Sequence, residues 1–429
     1  MNIPEFRTGL KTSKGVAKKS LFITGEGKNL FITFALVTSL FLLWGFCNGM
    51  IDILNKHFQN TLHINKFQSG FVQFANYLAY FLMAIPAGLL ARKFGYKGGI
   101  IIGLVLIAAG AFWFIPATAI GTYWAFLTGL FILAAGMTCL ETIANPYTTV
   151  LGPAESGATR INIAQTFNGI GWILGPIVGG HFVFGGGTMA DANAGLYIPY
   201  LGIGIVVAVL IVVFLFANVP ELNAEEEVKA EAEGTGRKPL WRRWHFTLGV
   251  LTQFFYVAAQ TGIFSFFINY VVENDRTVTE KQASTWLGVF GFGLFMFGRL
   301  CGSAVVSLGK PQRVLAIYAA LNVVLTGIAM GGGKLGLYAL LGTFFFMSVM
   351  FPTIFALGIR GLGEHTKLGS SLIVMSIVGG AIAPPLMGHI ADISSMRMGF
   401  ALPMICFVFI AFYGAFWQKL EAADSVVKS

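Results

Sequence analysis

The chain has 429 residues, of which 56% are hydrophobic and only 11% charged. A soluble domain carries about 25% charged residues, so this composition excludes a water-covered globular protein. The apolar stretches are long and continuous rather than short and alternating, which excludes a β-barrel and specifies an all-α polytopic membrane protein.

In chain order, residues 1–29 are polar and basic and form a predicted cytoplasmic tail. They contain no cleavable signal, because the first apolar run is long enough to remain as a helix. Runs of about 20 apolar residues then predict twelve spans. The first six are 30–58, 67–91, 98–118, 122–150, 161–184 and 196–217. The second six are 245–272, 283–307, 311–331, 335–358, 368–391 and 399–418. These divide into two six-helix bundles, 30–217 and 245–418, joined by a charged cytoplasmic linker over 218–244 and followed by a tail over 419–429. Lys11, Lys14, Lys18, Lys19, Arg92, Lys93, Lys97, Arg160, Arg237, Lys238, Arg242 and Arg243 all fall on the side of the termini and linker. That bias places both termini in the cytoplasm, and it explains the net charge of +9 without nucleic acid. Cys47, Cys139, Cys301 and Cys406 lie in apolar spans without metal-ligand spacing and are expected as free thiols.

The halves repeat. Pro146–Gly152 (PYTTVLG) is echoed by Pro352–Gly358 (PTIFALG), and Gly175–His181 (GPIVGGH) by Pro384–Ile390 (PPLMGHI). The same order of landmarks in both halves indicates a parallel repeat.

Within the fourth predicted span, Thr138, Glu141, Asn145 and Thr148 recur at helical spacing and form one stripe. Gln165, Asn168 and Trp172 form a second stripe on the next helix, and Trp44, Asn48, Asp52 and Asn55 a third on the first. Ionisable residues inside a bilayer are costly and face a water-filled pathway or a partner. A helix-to-helix hydrogen-bond cluster is the alternative reading of the Thr and Asn positions. A desolvated carboxyl favours its neutral form and can lose its proton when water reaches it, which is what proton coupling needs of Asp52 or Glu141.

Amides and carboxylates that bond hydroxyls, with aromatic rings that stack on an apolar sugar face, make a sugar site. Asn145, Gln165, Asn168, Gln253 and Gln260 supply the first; Trp44, Tyr77, Trp172 and Tyr256 supply the second. Tyr77 shares its stripe with Gln73, Asn76 and Tyr80. Arg299 is read as snorkelling or pairing locally, with the central cavity as the alternative. His181, His389 and Asp392 are read as rim residues, and Arg360, Glu364, His365 and Lys367 as a cytoplasmic loop.

The twelve-span plan and GLLARKFGYKGG (Gly88–Gly99) resemble the major facilitator superfamily and its signature, with Ala91 where an Asp is usual. More narrowly, the chain is similar to the L-fucose/proton symporter branch, which includes glucose/galactose and N-acetylglucosamine carriers. The matching stretches are Trp44–Gln59, Cys139–Pro153, Arg160–Gly171, Phe254–Thr261 and Phe351–Met375. The resemblance implies Asp52 and Glu141 as the proton-coupling pair and Gln165 and Asn168 as sugar contacts. Gly49 and Ile51 depart from it, standing where the fucose carrier has amides.

The expected function is a secondary active transporter that imports a hexose-type sugar by proton symport with alternating access. Sodium-coupled sugar symport and proton-coupled export remain open as alternatives. The chain shows no nucleophile–base pair, metal-ligand cluster or phosphate loop, so no enzyme activity, metal or cofactor is expected. The expected partners are the sugar, protons or sodium, and the lipid bilayer of a bacterial inner membrane, with the monomer as the working unit.

Overall fold

The computed structural model describes residues 21–22, 29–152, 157–185, 189–220, 240–308, 310–362 and 366–425. Most of the N-terminal tail, most of the linker, and Glu364 and His365 lie outside the described residues. Among the described residues, eleven helices are long and apolar enough to cross a membrane. In chain order, leaving a place for α5, they are α1 (Phe31–Thr61), α2 (Lys66–Ala91), α3 (Lys93–Ile120), α4 (Tyr123–Thr148), α6 (Leu196–Phe216), α7 (Trp244–Asn274), α8 (Glu280–Gly302), α9 (Pro311–Gly331), α10 (Gly333–Ile359), α11 (Ser371–Ile393) and α12 (Met396–Asp424).

The remaining long helix, α5 (Gly157–Val183), is as long as the others. It is less apolar because it carries Gln165, Asn168, His181 and several glycines. It lies along α1, shielded from lipid on that face. The chain is therefore a multi-pass helical membrane protein in which α5 packs along α1 while Phe167, Leu174 and Phe182 stay exposed. The reversal between α2 and α3 occurs at Gly95, whose φ of +72° is open to glycine at no steric cost. Lys97, just beyond it, donates from Nζ to the carbonyls of Leu215 (2.9 Å) and Ala217 (2.8 Å) at the end of α6. A cation there complements the helix C-terminus.

Packing repeats in the two halves. In the first, α1 lies on α5, α3 on α4 and α3 on α6; in the second, α7 lies on α11, α9 on α10 and α9 on α12. The halves meet along α1–α7, α2–α11 and α5–α8. Hydrocarbon tails give helices no hydrophobic reason to associate, so close backbone approach through small residues supplies much of the attraction. At the α1–α5 seam Gly45 lies against the Asn168 carbonyl and Gly171 against that of Leu42. Gly49 lies against the Trp172 carbonyl, whose oxygen is only 2.8 Å from where a Cβ would stand. Gly49 thus has no room for an amide, and Ile51 is fully buried.

The second half carries the irregular turns. α8 contains a π-helical stretch, Leu287–Phe292, and α11 a 3-10 stretch, Ser376–Val378. α10 is interrupted between Met347 and Met350. Such interruptions persist in a membrane only where other groups take up the freed carbonyls. Here Tyr256 donates its hydroxyl to the Met347 carbonyl at 3.0 Å, and Arg299 its Nε to that of Ser348 at 3.4 Å.

Gly171→Val would drive a branched side chain into the α1 backbone. It is expected to lower stability in detergent by about 1–3 kcal/mol or more. Gly202→Ala, which meets nothing within 4 Å, should leave the melting temperature unchanged or raised in the same assay.

Candidate functional site

The sequence stripes assemble into two neighbouring polar groups. The first lies where α1, α2, α4 and α5 converge. Trp44 donates its indole Nε1 to the Tyr80 hydroxyl at 2.8 Å. Asn48, one turn on, donates to the Trp44 carbonyl at 3.0 Å and also hydrogen-bonds with Tyr80. Glu141 is partly buried beside them, and its carboxyl meets no hydrogen-bond partner among the described residues. With Leu40, Phe41, Trp44, Leu140 and Ala144 it lines a small recess. One turn further along α4, Asn145 accepts from Gln165 of α5 at 3.2 Å. The result is a wall with one carboxyl, three amides and a Trp–Tyr pair, built from four helices of the first half.

The second group lies nearer the end of the molecule remote from the chain termini, where α1, α2 and α7 meet. Asp52 is 3% exposed. Its Oδ1 accepts from Gln73 Nε2 at 2.8 Å, and its Oδ2 meets no partner among the described residues. Asn55 donates to the Ser265 carbonyl of α7 at 3.3 Å. Thr261 of α7 donates to the Tyr77 hydroxyl at 3.0 Å, and the Tyr77 ring lies on Gly380 of α11. Tyr77 is within electrostatic range of both Asp52 and Glu141, so it stands between the two groups.

Other predicted site residues are used differently. Asn168 is buried and donates to the Phe41 carbonyl at 3.2 Å, tying α5 to α1. Trp172 packs edge-on against Phe264 and Phe292, with centroids at 5.9 and 4.9 Å, joining α5 to α7 and α8. Gln253 is fully buried, with both amide atoms unpartnered among the described residues. Gln260 is partly exposed and makes no hydrogen bond within the described residues.

Three residues visible in the sequence, but not assigned to the site there, contribute to it. Gln73 and Tyr80 share the Tyr77 stripe, which was their signal, but nothing in their spacing said which would reach α1. Arg299 pairs locally, one of the readings its sequence position allowed. It sits beside Tyr256, with its guanidinium 5.1 Å from the Phe295 ring, held by the interrupted α10. A lone arginine within an apolar span was its signal.

The family model of the Major Facilitator Superfamily matches residues 30–377. The chain belongs to this superfamily. Among curated superfamily members it is 39% identical to the L-fucose-proton symporter of Escherichia coli (strain K12), over 91% of this chain and 94% of that one. It is 36% identical to the glucose/galactose transporter of Brucella abortus biovar 1 (strain 9-941), over 92% and 96%. The crystal structure of the superfamily member FucP, in the outward conformation, aligns with a TM-score of 0.64 at 38% identity, over 90% of this chain and 98% of that one. A bacterial homologue of the lysosomal transporter Spinster aligns at 0.74 with 14% identity, over 94% and 100%, a likeness of fold.

The Asp52–Gln73 pair carries a stability prediction. Gln73→Leu leaves both Asp52 oxygens unpaired and is expected to cost about 1–3 kcal/mol in detergent unfolding. Asp52→Asn, which can still accept from Gln73, should cost nothing measurable in the same experiment.

Proposed function

We propose that the protein imports a hexose-type sugar together with a proton by alternating access of its two halves, with Glu141 and Asp52 as the proton-coupling carboxyls. The observation that carries this reading is the unpartnered Glu141 carboxyl at a recess shared with Trp44. It is flanked by the Asn145–Gln165 amide pair and the Trp44–Tyr80 aromatic pair. Carboxylate and amide oxygens accept from sugar hydroxyls, amide N–H groups donate to them, and an aromatic ring covers the apolar sugar face. Whole-length relatives named as an L-fucose-proton symporter and a glucose/galactose transporter support the same substrate class.

In this reading Glu141, Asn145, Gln165, Trp44, Asn48 and Tyr80 meet the sugar from the first half. Gln260 completes the site from α7, with Tyr77 between the halves, while Tyr256, fully buried, is committed to the Met347 carbonyl. Asn168, Trp172 and Gln253 support those positions from the helix seams. Asp52 answers to a different constraint. Among the described residues, the seam formed by α1, α2 and α7 gives it one donor, from Gln73, and no cation. Burying a charged carboxylate without a partner is costly, whereas the neutral acid is tolerated. Protonation therefore permits closure of this seam, and the free energy of the proton gradient biases the cycle toward uptake. The even number of predicted spans and the bias of basic residues support a bacterial inner membrane with both termini on its cytoplasmic side. The monomer contains both halves and is the working unit.

The test separates exchange from accumulation in Glu141→Gln. Counterflow of labelled sugar across equal pH should persist to within about threefold, while accumulation driven by a pH gradient falls at least about tenfold. Unimpaired gradient-driven accumulation would remove Glu141 from proton coupling. A second variant addresses the wall itself. Asn145→Ala removes the acceptor of Gln165 and is expected to raise the half-saturating sugar concentration about five- to thirtyfold with little loss of folded protein.

A further inference from the structure

α2 and α8 begin alike. Asn65 and Gln68 form a reciprocal capping box at α2, and Thr279 and Gln282 form the same box at α8. The two starts differ in charge. The first turn of α8 contains an acid, Glu280, whereas that of α2 contains none and opens on Lys66. A helix N-terminus favours an anion and disfavours a cation, so α2 lacks the group that α8 supplies for itself.

The missing anion comes from the other half of the molecule. Asp392, in the last turn of α11, accepts from the Lys66 backbone N–H with Oδ1 at 3.1 Å and from the Phe67 N–H with Oδ2 at 2.9 Å. The approach is close: Gly388 lies on the Lys66 carbonyl, and Gly70 on Pro384 and Pro385. Glu273, in the last turn of α7, holds the Lys66 ammonium at 3.0 Å. On the α1–α8 side Glu280 holds Lys56 at 3.5 Å and accepts from Asn60 at 2.8 Å. In every one of these contacts the acid belongs to the second half, and the cation or N–H donor to the first.

We propose that Asp392 is the latch of the end remote from the termini. It caps α2 only when the two halves are closed there, and its release is part of opening toward that side. Residues at the rim of a helix end commonly serve only their own helix, but Asp392 commits both carboxylate oxygens to a helix of the opposite half. Because the latch is solvent-exposed, each bond is modest. Its effect is on the balance between two conformations rather than on folding. Asp392 is a positioning residue: it touches neither the proposed sugar wall nor Asp52.

The test follows accessibility from each side and needs neither sugar nor a proton gradient, so its outcome is independent of the proposed transport activity. In a chain whose four native cysteines are replaced by alanine, Ser265→Cys reports opening at the latch end. Ser265 is buried behind the latch, facing Asn55. Asn145→Cys reports opening at the opposite end. Asp392→Ala should speed modification of Ser265→Cys by an impermeant maleimide added from the latch side by about five- to tenfold. It should slow modification of Asn145→Cys from the other side. Asp392→Asn should act in the same direction to a smaller extent, and decides the matter should the alanine variant not fold. Lys66→Pro should exceed Lys66→Ala in effect, because both lose the ammonium that Glu273 holds but only proline, which suits the first helical position, also removes the N–H that Asp392 Oδ1 accepts. Unchanged rates at both reporters, or a rise at both together as in general loosening, would overturn the proposal.

Discussion

A polar group buried among hydrocarbon must find a partner in the protein or line a pathway that water and solute can enter. The rest of this structure depends on that constraint. It explains why the amides and hydroxyls of the spans sort into two kinds. Asn168, Tyr256 and Arg299 each reach a backbone carbonyl of another helix and hold the bundle together. Glu141 does not, and it sits at a recess. The same constraint distinguishes Asp52, which has one donor for its two oxygens in a seam between the halves.

Close helix approach supplies the precision that this sorting needs. The glycines of α1 and α5 let two backbones run together, and that contact sets the register between Trp44 and the Gln165 helix. The irregular turns of α8, α10 and α11 lie in the second half. The interruption of α10 is held by side chains from α7 and α8, Tyr256 and Arg299. The first half therefore presents the Glu141 carboxyl on α4, and the second half the helices with irregular turns. Two-state motion between the halves is compatible with both, because the seams α1–α7, α2–α11 and α5–α8 are the places where one half faces the other.

Much of this was legible in the sequence. Composition and run length gave the class, and the basic residues the expected orientation. Helical spacing put Trp44, Asn48, Asp52 and Asn55 on one face. Spacing on a single helix states which residues share a face but not which neighbour each will meet. That is why one stripe divides between the Tyr80 group and the α7 seam. It is also why Asn168, read with Gln165 as a pair, turns to α1 while Gln165 turns to Asn145. Arg299 could be seen as an anomaly in an apolar span, but its placement depends on an interruption in α10 that hydropathy does not register. Asp392 looked like a rim residue because its partners, Lys66 and Phe67, lie far away in the chain and offer only backbone N–H groups.

The central claim is that sugar and proton move together. The most direct measurement is the external pH of a lightly buffered, de-energised suspension of cells making the protein. L-fucose, D-glucose, D-galactose, D-mannose and N-acetylglucosamine would be added in turn, with and without sodium. The account predicts alkalinisation by at least one of these sugars, independent of sodium and absent from cells lacking the protein. Uptake of labelled sugar without any alkalinisation would contradict it.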